Sequence, residues 1–123
     1  MTNLGPYREM VDRLKSTTRN HVPMDLEHSI DGINSEAGEL IDELKKAKYY
    51  PGHELDVTNI KEEFGDLLFY FMLGLNHFGW TLREIMDMNR AKLDGVRYKD
   101  GFSGEAALNR DLDAEREALE KHT

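Results

Sequence analysis

One segment limits what this chain can fold into. From about Thr58 to Phe78 the residues have helical periodicity, yet Phe64, Leu67, Leu68, Phe69, Phe71, Met72, Leu73, Leu75 and Phe78 point almost all round the axis. A helix that is apolar on every side has to be buried. The same helix carries Glu63 and Asp66, in one arc about 60° wide with Tyr70 and His77. A carboxylate buried without a partner is costly, so these acids must be paired, protonated or bound to a cation.

Elsewhere in the 123 residues, apolar positions recur at three and four, and runs alternating at two are missing. That pattern predicts an all-α fold in one domain. Helix one should start near Pro6 and run to about Thr18, with Tyr7, Met10, Val11 and Leu14 as its stripe. Helix two should span about Asp25 to Ala47, its stripe being Ile30, Ile33, Ala37, Leu40, Ile41 and Leu44. Pro51 and Gly52 mark a loop, and Gly79 should end helix three. Thr81 followed by Glu84 reads as a capping box opening helix four, with Gly95 its expected stop after Leu93. Residues 95–103 read as a loop, and 104–121 as one polar helix that packs lightly or on a partner. The expected division is 1–103 as a helical catalytic domain and 104–123 as a polar extension. Four helices of one short chain rarely bury one of them fully, so a homodimer or larger assembly is expected to cover helix three.

Composition removes several classes of function. There is no cysteine, hence no disulfide, thiolate metal site or cysteine nucleophile. No apolar run is long enough to span a bilayer, and residues 1–7 lack the layout of a signal peptide, so a cytoplasmic protein is expected. With 24 acidic against 16 basic side chains the net charge is −8, which disfavours nucleic acid polymers and anionic membranes. It does not disfavour a phosphate ligand that arrives with cations.

Acidic pairs three apart are common in such a chain, and six occur. Glu63/Asp66 stands out because its helix has little solvated face to offer. Glu36/Glu39 stands out because it borders the apolar stripe of helix two, with Glu43 four further on. Two helices could thus face each other, ExxE against ExxD. An all-oxygen donor set suits Mg²⁺, Mn²⁺ or Ca²⁺ rather than zinc. No His stands three after a Glu, so a di-iron bundle site is not indicated. Four clustered carboxylates repel unless cations neutralise them, and bound Mg²⁺ leaves coordination positions suited to a phosphate-bearing substrate. Asn89 and Lys92 share a helix face, and Arg97, Tyr98 and Lys99 follow in the next loop as a cationic complement. There is no P-loop or GxGxxG. His77 reads as a core histidine and Trp80 as a packing residue at the turn between helices three and four. His21, His28, His53 and His122 carry no signal.

The strings SEAGELIDELKKA (35–47), IKEEFGDLLFYF (60–71), LREIMDMNRAKLDGVRY (82–98) and KDGFS (99–103) resemble the MazG-like nucleoside triphosphate pyrophosphohydrolases, within the all-α NTP pyrophosphatase superfamily. The resemblance spans about residues 30–103. It implies a four-helix bundle that dimerises, often into a tetramer. It implies a Mg²⁺ cofactor, for which Mn²⁺ can substitute, held by Glu36, Glu39, Glu63 and Asp66. The implied activity is hydrolysis of an NTP or dNTP to the monophosphate and pyrophosphate, with Glu36 or Glu39 acting on the attacking water. Asn89 and Lys92 match positions that reach the substrate phosphates, and Arg97 and Tyr98 match loop positions near the substrate. Two alternatives stay open: a narrow-specificity sister enzyme (dUTPase-like, dCTPase-like or phosphoribosyl-ATP pyrophosphohydrolase), and a non-catalytic helical dimer that binds another protein.

Overall fold

The computed structural model describes residues 3–122, and every regular element among them is helical. These are α1 (Gly5–Leu14), α2 (Met24–Tyr49), α3 (Val57–Phe78), α4 (Leu82–Lys92), α5 (Gly104–Leu108) and α6 (Leu112–Glu120). A π-helical turn, Leu93–Arg97, continues α4. None of the described helices is long and apolar enough to cross a membrane.

The α2–α3 hairpin is the main packing unit. Its two helices approach closely at small residues. Gly32 lies against the Tyr70 ring so tightly that a Cβ there would overlap the ring carbons. Ser29, almost wholly buried, faces Gly74 and donates from Oγ to the Tyr70 carbonyl at 2.6 Å. Asp56 caps α3 by accepting the Asn59 N–H at 3.0 Å, and Gly79, at φ 72°, ends it. Leu75 is the one large apolar side chain that is buried among the described residues.

The second unit is α4, its π turn and α6. The capping box of α4 is formed: Thr81 Oγ1 accepts the Glu84 N–H at 3.2 Å, and Glu84 Oε2 accepts the Thr81 N–H at 2.7 Å. Phe78 and Trp80 stack at 4.2 Å across the turn into α4. The expected single bundle is thus resolved into two helix pairs, with α1 making no extensive contact with either.

Four expectations are corrected. Helix one ends at Leu14, because Lys15 turns extended. Gly95 does not stop helix four; its φ is not positive, and the backbone runs on through the π turn, where the Tyr98 N–H bonds the Leu93 carbonyl at 2.8 Å. The polar C-terminal helix is two helices, because Ser103 caps Ala106 and Asp111 caps Ala114, each starting a new helix. His77 is exposed rather than core, edge-on to Phe78 at 4.9 Å.

Candidate functional site

The α2–α3 hairpin brings Glu36, Glu39 and Glu63 together, with a ligand oxygen of each within 4.8 Å of the others. Glu63 is buried at 7% exposure, Glu36 is half-buried and Glu39 is exposed. Asp66, one turn beyond Glu63, is exposed and lies outside this close group. Glu36 and Glu39 are three apart and so share a face of α2; antiparallel pairing lays α3 across that face.

The electrostatics of the cluster are set by three carboxyl groups held close together. Glu36 Oε2 and Glu63 Oε2 are buried without a hydrogen-bond partner among the described residues. Buried polar atoms are seldom left so. Glu63 is pushed up to about 8: its protonated form bonds to Glu36, burial penalises its charge, and Glu39 adds a further hydrogen bond and like-charge repulsion. The orphaned oxygens and the all-carboxylate donor set fit a hard divalent cation. No lysine or arginine forms an ion pair with Glu36, Glu39 or Glu63 among the described residues.

The remaining expected site residues lie on the second unit. Asn89 is exposed and Lys92 half-buried on α4. Arg97, in the π turn, donates from Nε to Glu115 Oε1 at 2.6 Å. Glu115, 3% exposed on α6, also accepts from Arg110 at 3.0 Å. The Arg97 hydrogen bond, with that of Arg110 behind it, holds Glu115 below the usual carboxylate range despite its burial. Tyr98 follows Arg97 and packs against Phe102 at 5.4 Å between centroids.

The model of the MazG nucleotide pyrophosphohydrolase domain matches residues 25–102. The chain belongs to the MazG family. No curated protein and no solved structure shows a significant match. The match takes in α2, α3, α4 and the π turn, and so every carboxylate of the cluster. MazG membership supports nucleotide pyrophosphohydrolase activity and a small-molecule nucleotide substrate, and the acidic cluster is compatible with the metal dependence typical of MazG domains.

Two features of this MazG chain escaped the sequence. Glu43, the third acid on the same face of α2, is buried and bonded to the start of α3. Its place on the flank of the apolar stripe of α2 is legible in the spacing, but its bonds to the Asp56 N–H and to Asn59 across the interhelical loop are not. Glu115 looked like one charge among many in a polar tail, and only folding of α6 onto α4 and its π turn buries it.

Proposed function

We propose that this chain hydrolyses nucleoside or deoxynucleoside triphosphates to the monophosphate and pyrophosphate in a Mg²⁺-dependent reaction. The observation that carries this is the Glu36/Glu39/Glu63 cluster with its unpartnered buried oxygens, set within a MazG domain. Asp66 is the fourth ligand in this reading. A cation held there would neutralise phosphate charge and lower the pKa of water. Glu36 or Glu39 accepts the proton of the water that attacks the α–β phosphoanhydride, the P–O bond to the leaving group breaks, and pyrophosphate departs. Lys92 and Asn89 contact the substrate phosphates, and Arg97 and Tyr98 border the substrate, Arg97 being held in place by Glu115. Residues 1–103 form the catalytic unit in this reading and 104–123 an extension that braces it.

Phe64 and Phe69 on α3 are 60% and 63% exposed in the single chain. We therefore also propose a homodimer or homotetramer, in which a second copy covers that side of α3.

The deciding assay incubates the chain with each common NTP and dNTP plus Mg²⁺ and measures products. Monophosphate and pyrophosphate are expected, and the panel gives base and sugar preference. Orthophosphate with a diphosphate would overturn the proposed bond, and absence of any turnover would overturn the activity.

A further inference from the structure

Three contacts join α2 to α3 at equal intervals. Ser29 Oγ bonds the Tyr70 carbonyl. Glu36 meets Glu63. Glu43 Oε1 accepts the Asp56 backbone N–H at 3.1 Å, and Glu43 Oε2 takes the Asn59 Nδ2 amide at 3.4 Å. Successive contacts are seven residues apart on both helices, about 10.5 Å of rise and close to two full turns. All three therefore fall along one seam, with the acidic pair at its middle. His53 Nε2, 3.2 Å from Glu43 Oε1, adds the interhelical loop to the same carboxylate. Glu43 is buried, so these bonds have little competition from water.

We propose that Glu43 is a positioning residue for the cation site: it pins the N-terminus of α3 to α2 and so sets the register that places Glu63 opposite Glu36 and Glu39. It touches neither cation nor substrate. The need for such a pin is physical. Cation binding needs all three carboxylates ionised, and once Glu63 gives up its proton they repel and push α2 and α3 apart until the cation enters. A clasp at one end of the seam, with Ser29 at the other, keeps the ligands assembled beforehand. The cost of misplaced ligands then falls on metal affinity, as for partners that orient a metal's ligands.

This inference rests on the reading of Glu36, Glu39 and Glu63 as the cation site. The test titrates the full chain with Mn²⁺ and follows the free ion by electron paramagnetic resonance. Glu43→Ala should weaken Mn²⁺ binding about ten-fold or more. Glu43→Gln, which keeps an acceptor oxygen for the Asp56 N–H, should recover part of that loss. Leu75→Ala empties a buried site on α3, well away from the clasp, and should lower Tm while leaving Mn²⁺ affinity near wild type. A folded Glu43→Ala that binds Mn²⁺ like the wild type overturns the proposal alone. So does a Leu75→Ala whose affinity falls as far as that of Glu43→Ala, since general loosening would then suffice. A wild-type chain that takes up no Mn²⁺ overturns the cation site and the clasp together. If Glu43→Ala loses the helical circular dichroism of the wild type, Ser29→Ala and Asn59→Ala carry the test. Weaker shifts in the same direction support the pin, and unchanged affinity in both overturns it.

Discussion

Glu63 is the residue whose ionisation the fold changes most clearly. Its ordinary value is 4.5, and in the folded chain it is pushed up to about 8 by Glu36, burial and Glu39. Between those values the folded state holds a proton that the unfolded state has lost. Stability from this group is therefore fully present below about pH 4.5 and is lost as pH rises through about 8. In a metal chelator, Tm of the wild type should fall between pH 6 and pH 9 more steeply than that of Glu63→Gln, which cannot ionise. Cation binding requires the carboxylate, so Mg²⁺ affinity should rise over the same interval with uptake accompanied by proton release, measurable by calorimetry in buffers of different ionisation enthalpy. Glu63→Gln should also cut Mg²⁺-dependent activity by more than about 100-fold, above the usual loss for a partner one shell further out. Glu43 and Glu115 run the other way. His53 and the Asp56 N–H lower Glu43, and Arg97 and Arg110 lower Glu115, so their contributions are lost as pH falls below the ordinary carboxylate value.

Among the elements, the α2–α3 hairpin depends on close approach and α4 on its cap. Gly32→Ala would drive a methyl group into the Tyr70 ring, so the ring must be displaced from the seam or the helices must separate. The variant should melt at a lower temperature and bind Mn²⁺ more weakly, because the acidic cluster lies one turn further along α2. Thr81→Ala removes one half of the capping box and should cost about 1 kcal/mol in denaturant unfolding, with Mn²⁺ binding intact. Leu75→Ala should cost about 2–5 kcal/mol, the usual range for emptying a buried leucine site. The capping box was legible in sequence because a cap is a local contest over a few N–H groups. The π turn at Leu93–Arg97 was not, because Gly95 there takes no left-handed conformation and the turn packs against α6, which lies far along the chain.

At the scale of the molecule, one chain leaves much apolar surface open. Tyr7, Val11 and Leu14 on α1, Ile41 and Leu44 on α2, and Phe64, Leu68 and Phe69 on α3 are exposed. The proposed assembly would cover part of this surface. Light scattering should give a multiple of the 14.2 kDa chain mass. Phe69→Asp should shift it towards the monomer, because a buried charge without a partner opposes association. A wild-type monomer at micromolar concentration would refute the assembly while leaving the cation site to its own tests.

The periodicity of apolar residues determined the helical class, the span of α3 and the candidate acids, because each depends on residues within a few turns of one another. The tertiary structure decided which acids meet. It drew Glu36, Glu39 and Glu63 together and left Asp66 outside the close group, since that choice depends on the register between two helices. It also separated Glu43 and Glu115 from the many solvated carboxylates. Burial and hydrogen bonds from distant segments distinguish them, and neither is written in local spacing.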